Sequence, residues 1–285
     1  MTARVFDDRQ CALGEGPLWH PAREQLFWFD ITGHALLCRT KLGPVTWKFD
    51  AAVSAAGWLD ADHLLVASDT ALWRFNLSTG SKSQICPLES TTNATRSNDG
   101  RADPWGGFWI STMGRDAEPG AGAIYRLYQG TLRKLFSELT IPNAICFAPD
   151  RSHAYFTDTA KAHLMRVPLD QAGWPAAPAE MLIDLAAHGL SPDGAVVDNQ
   201  GALWIAQWGA GRVAVYDKDG TYQSAVDVPG VHSTCPAFGG PDLTTLYVTS
   251  ATQGLDDTAC DPAAQGLTFM VKHAGHGVPE PQVVL

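Results

Sequence analysis

Six short segments along this chain share one pattern, about three large apolar residues followed by small and polar ones: "LFWFDI" from Leu26, "LLVASD" from Leu64, "FWISTM" from Phe108, "AYFTDT" from Ala154, "LWIAQW" from Leu203 and "LYVTSA" from Leu246. Their starts lie 38, 44, 46, 49 and 43 residues apart, an average of 44. A β-rich unit repeating at that period is the signature of a propeller blade. A second β-branched or aromatic segment follows each run: "ALLCRT", "ALWRFN", "AIYRLY", "HLMRVP", "RVAVYD" and "LTFMVK". Turn-forming stretches such as "HPAREQ", "LDADH", "DPWGG", "APDRSH", "DNQGA" and "GPDLTT" precede the runs, so a third strand is expected before each turn. Long helical periodicity is absent; the one candidate, "PAAPAEMLIDLAAHG", carries prolines that oppose a helix. The expectation is an all-β, six-bladed β-propeller of about four strands per blade, using residues 1–285 as a single domain.

With 285 residues and 45% apolar content the chain can bury one large core. Its 20 Lys and Arg against 30 Asp and Glu give a formal charge of −10 with no basic stripe, which argues against a nucleic-acid partner. "MTARVFDDRQ" lacks the apolar stretch of a signal peptide, and no uninterrupted apolar run approaches a membrane span. A soluble, cytoplasmic protein without a membrane partner is therefore expected. Cys11, Cys38, Cys86, Cys146, Cys235 and Cys260 lie far apart with no C-x-x-C pair, and they read as buried reduced thiols.

Counting back 10 or 11 residues from each apolar run reaches Glu15, Val53 or Ser54, Asn98, Asn143, Asp193 and Cys235. In a propeller the first strand of each blade lines the central channel, so such equivalent positions form a ring near the axis. Any one Asn or Asp could simply cap a turn. Four oxygen donors at matched offsets, each beside Gly or Pro ("LGEGP", "RSNDG", "IPNAI", "SPDGA"), suit a hard divalent cation that keeps open positions for water and ligand. Among the tryptophans, Trp28, Trp109 and Trp204 fall inside the runs and read as core, whereas Trp208 stands at the end of its run as a candidate for the channel mouth. "HAGHG", with His273 and His276, reads as a surface loop. No G-x-S-x-G elbow occurs, which disfavours a covalent acyl-enzyme.

"LGEGPLWHP", "RSNDGRADPWGGFWISTM", "IPNAICFAPD", "SPDGAVVDNQGALWIAQWG" and "CPAFGGPDLTTLYVTSA" together resemble the senescence marker protein 30, gluconolactonase and luciferin-regenerating enzyme family, and are most similar to its bacterial sugar lactonases. The resemblance implies a six-bladed propeller that holds one divalent metal and hydrolyses an aldono-1,4- or 1,5-lactone to the aldonic acid in sugar catabolism. It implies Glu15, Asn143 and Asp193 as metal ligands, with Asp193 also the catalytic base. Arg96 and Asn98 in "RSND" would bind the sugar lactone, joined by Glu118, seven residues before the Tyr of "G-A-x-Y" in "AEPGAGAIY". Ca, Zn, Mn, Mg and Fe(II) all accept such a donor set. Asp99 either holds Arg96 or touches substrate. Two alternatives stay open: a paraoxonase-like lactonase or esterase on a similar propeller, and a non-catalytic calcium-binding protein.

Overall fold

The computed structural model describes residues 1–255 and 261–285. All six apolar runs are strands, Gln25–Asp30, His63–Ser68, Phe108–Gly114, His153–Asp158, Leu203–Trp208 and Thr245–Ala251. Each is preceded by the expected inner strand, respectively Gly14–His20, Val53–Asp60, Thr95–Ala102, Pro142–Phe147, Ser191–Val197 and His232–Gly239. Each is followed by the second segment, from Ala35–Thr40 round to Thr268–Val271. The strands form a propeller. Four of its sheets have four antiparallel strands, and a further sheet has eight, made of two such groups joined by the single pair Trp208 and His232. The strand Arg4–Asp7 pairs with Thr268–Val271, so the start of the chain completes the last group and ties the ring shut.

Burial follows the radius. The outer strand Gly43–Lys48 alternates between half-buried and exposed residues, as an edge facing water should, while Phe108–Gly114 is buried at every position because neighbouring sheets cover both of its faces. One core cluster joins Leu18, Phe27 and Phe29 to Val53, Leu64 and Val66 of the next sheet. Trp28, Trp109 and Trp204 are buried, as their place in the repeat implies.

The proline-rich stretch is no α-helix: it forms the strand Glu180–Asp184 and one 3-10 turn at Ala186–His188. Cys11, Cys38, Cys146 and Cys235 are buried free thiols and Cys86 is half-buried; Cys260 lies outside the described residues. No helix is long and apolar enough to cross a membrane among the described residues.

All six inner strands carry a register irregularity, between Glu15 and Leu18, Val53 and Ala55, Ser97 and Gly100, Asn143 and Cys146, Pro192 and Ala195, and Ser233 and Pro236. A bulge re-aims side chains that a regular pleat would send alternately to the two faces. Gly16, with φ 52°, supplies the left-handed residue one such turn needs, and a Cβ there would run into the Ser54 carbonyl.

At the downstream ends of the inner strands the segment 278–285 crosses the axis. Val283 N donates to Trp58 O at 2.9 Å, Val284 N to Gly106 O at 2.8 Å, and Trp58 Nε1 to Glu280 O at 2.9 Å. Val283 is buried beside Leu59 and Phe108, and Glu280 pairs with Arg101 at 3.1 Å, both side chains largely buried. The repeat does not extend to these residues, and nothing in their composition announces the contact.

Candidate metal and substrate pocket

Four of the six bulges converge at the upstream end of the axis on a cavity of about 710 Å³, within the size range of small-molecule sites. Glu15, Arg96, Asn98, Asn143 and Asp193 all line it. A chain of short hydrogen bonds links the strands that carry Asn98, Asn143 and Asp193. Arg96 Nη1 donates to Asn98 Oδ1 at 2.8 Å, Asn98 Nδ2 to Asn143 Oδ1 at 2.8 Å, Asn143 Nδ2 to Thr159 Oγ1 at 3.0 Å, and Thr159 Oγ1 to Pro192 O at 2.7 Å. Ser54 is turned away, donating to Asn98 O at 2.6 Å. Cys235 is buried but does not reach the cavity.

The electrostatics are unbalanced. Glu15, Asp99 and Asp193 are all buried, and none of the three forms an ion pair among the described residues. Burial and the nearby Asp99 push the Glu15 carboxyl up to about 8, although Gly16 N donates to it at 3.0 Å and Arg96 lies near. Asp193 is held well above the carboxylate range by burial and then by Glu15 and Asp99. Buried carboxylates without a counter-ion cost several kcal/mol each, so this arrangement calls for protons or for a cation. No group of three His, Cys, Asp or Glu is arranged to hold a metal ion by itself among the described residues. Two carboxylates and the Asn143 amide oxygen nevertheless make an all-oxygen set, which fits a hard divalent cation rather than a soft one.

Two sequence-derived placements differ. Glu118 is exposed and stands outside the cavity lining; its Oε2 accepts from Asp116 N at 3.1 Å, which pins the turn that brings Asp116 and Ala117 to the rim. Asp99 does not hold Arg96; its Oδ2 accepts from Ile145 N at 2.7 Å and braces the strand carrying Asn143.

Trp208 does line the cavity. So do Leu13, Met113, Arg115, Ile141, Ser191 and Gln253, which the motif reading passed over. A signal was present: Leu13, Arg96, Ile141 and Ser191 lie two residues upstream of Glu15, Asn98, Asn143 and Asp193, the spacing that keeps side chains on one side of an extended chain. Arg115 is held by Asp69 at 2.7 Å.

The model of the SMP-30/gluconolactonase/LRE-like region matches residues 13–252. The chain is 36% identical to an L-arabinolactonase from Azospirillum brasilense, across 96% of this chain and 93% of that one. It is 33% identical to pentonolactonase XacC from Haloferax volcanii, across 98% and 97%. Among solved structures, a calcium-binding protein, regucalcin, from Agrobacterium tumefaciens superposes with a TM-score of 0.96 at 41% identity, covering 100% of this chain and 98% of that one.

Proposed function

The chain belongs to the SMP-30/gluconolactonase/LRE-like family, and from that premise we propose that it is a metal-dependent lactonase that opens an aldono-1,4- or 1,5-lactone to the aldonic acid. We read the eight-stranded sheet as two blades, which makes six around one axis in one domain. The observation that carries the functional reading is the pair of buried, unpaired carboxylates, Glu15 and Asp193, in the floor of a cavity that also presents Arg96 and Asn98.

Glu15, Asn143 and Asp193 would hold one divalent cation, which when bound supplies Lewis-acid stabilisation of the oxyanion and makes a nearby water more acidic. Asp193 then has the work of a base. It takes a proton from the water whose oxygen adds to the lactone carbonyl carbon, and returns it to the ring oxygen as the C–O bond breaks, so that the product carries one carboxylic acid and one new hydroxyl. Arg96, steadied on Asn98 Oδ1, turns its remaining N–H groups to the ester or to sugar hydroxyls. Glu118 enters this reading as the anchor of the rim turn rather than as a contact to substrate.

A panel of aldonolactones assayed by proton release on metal-stripped and reconstituted protein tests the proposal. Each polar group of the floor left unpaired by an unsubstituted lactone costs about 1 to 3 kcal/mol, so two of them predict a preference of roughly a hundredfold or more for the polyol substrate. Equal turnover of the alkyl lactone would favour a paraoxonase-like enzyme. The calcium-binding neighbour supports a second reading, a cation-binding protein without catalysis; cation binding with no hydrolysis of any lactone is its mark.

A further inference from the structure

The cavity has two chemically different surfaces. Its floor is polar, while Leu13, Met113, Ile141 and Trp208 present apolar groups along the sides. The repeat explains how these come together: the sixth residue of successive apolar runs is Ile31, Asp69, Met113, Thr159, Trp208 and Ala251. Met113, Thr159 and Trp208 line the cavity, and Asp69 holds the lining residue Arg115. Trp208 is the largest side chain of this series and is the last residue of Leu203–Trp208, where it pairs with Ser191 on the strand that carries Asp193.

The indole is held firmly. Its ring stacks on His232 with centroids 4.0 Å apart and planes 21° from parallel. His232 is fixed in turn through Nδ1, 2.9 Å from Gln253 O; a carbonyl only accepts, so Nδ1 carries the hydrogen. The two residues also form the backbone pair that joins the two halves of the eight-stranded sheet. Trp208, half-buried, also packs against the cluster of Leu13, Ile31, Ala52 and Ala251, and its remaining surface lines the cavity. A large aromatic ring fixed in position, half-buried and beside a polar floor has the form of a stacking platform.

We propose that Trp208 is a specificity-determining residue: its indole receives the C–H face of the lactone ring while Arg96, Asn98 and the carboxylate floor take the carbonyl and hydroxyls. This rests on the lactonase reading above. A polyol lactone has such a two-sided character, since hydroxyls that leave one ring face bare expose polarised C–H groups that the negative face of an aromatic ring attracts. The site would therefore prefer sugar lactones with one unencumbered face, and epimers that put a hydroxyl on that face would bind more weakly.

Steady-state kinetics of Trp208→Ala, Trp208→Leu and Trp208→Phe test this, together with calorimetric binding of the cyclic polyol that matches the best lactone but lacks its carbonyl. Loss of the aromatic face should raise KM, and the polyol Kd, about tenfold in the Ala and Leu variants, with Phe recovering most of it. Turnover at saturation and bound metal should stay near wild type, a split that a merely structural role would not produce. The Leu variant keeps apolar bulk, so the comparison survives if Ala fails to fold. Unchanged KM and polyol Kd in Trp208→Leu, or a Phe variant no better than Leu, would overturn the platform while leaving the lactonase standing. A wild-type protein that hydrolyses no lactone and binds no cyclic polyol overturns both.

Discussion

The two ends of the propeller axis carry the same kinds of residue in opposite states. Upstream, Glu15 and Asp193 are buried without a cation partner and face an open cavity. Downstream, the side chains of Arg101 and Glu280 are largely buried but paired with each other, and the segment 278–285 is hydrogen-bonded across that end. Asp99 lies between the two, and its charge bears on Glu15 and Asp193 on one side and on Arg101 on the other. One architecture thus keeps its binding end and its stabilising end apart. Charge is left uncompensated at the end where the proposed cation would supply the compensation, and is compensated internally at the other.

Substitutions at the two ends should therefore fail in different ways. Asp193→Ala should lower kcat/KM by about a thousandfold or more and remove bound metal, while thermal stability of the metal-free protein stays level or rises, because a buried carboxylate has been relieved. Kinetics, metal analysis and a thermal melt check this together, and retained metal with full turnover would break the assignment. The mirror experiment is Glu280→Ala. It leaves the Arg101 guanidinium buried and unpaired, which should cost about 3 kcal/mol of stability while kcat/KM stays within a few-fold of wild type.

A titration sharpens the same contrast. Glu15 has a folded value of about 8 against an ordinary 4.5, so the native state keeps its proton where the unfolded chain has released it. The sign is that of a raised acid: stability of the metal-free protein should fall as pH rises through that window, by at most about 1.4 kcal/mol per pH unit for this one proton, relative to Glu15→Gln. Urea midpoints of both proteins across the window measure it, and saturating divalent cation should abolish the difference. Parallel curves would show that Glu15 is not desolvated as described.

Smaller effects follow from single donors. Arg96→Ala should raise KM about tenfold to a hundredfold with metal content unchanged, since the guanidinium positions substrate without ligating the cation; metal loss would move it into the support of the ligands. At the other end, Trp58→Phe removes the donor to Glu280 O and should cost about 1 kcal/mol of stability with no kinetic change.

Much of this was legible in advance because it is local and periodic. Burial on both faces of a blade writes runs such as "FWISTM" into the chain, their spacing shows the repeat, and matched offsets from them lead to Glu15, Asn98, Asn143 and Asp193, all of which meet at one cavity. The offsets work because equivalent strands place equivalent residues at the same height along the axis. Sequence alone thus determined the all-β propeller, the ring of oxygen donors and the core tryptophans. Tertiary structure decided what depends on contacts between distant or competing groups. Glu118 turned to a backbone donor in its own loop, Asp99 braced Ile145 rather than Arg96, and His232 came to support Trp208. The bridge that Glu280 makes at the far end is of the same kind: an ion pair between residues 101 and 280 leaves no periodic trace in either segment, because its partner is chosen by where the fold brings the chain.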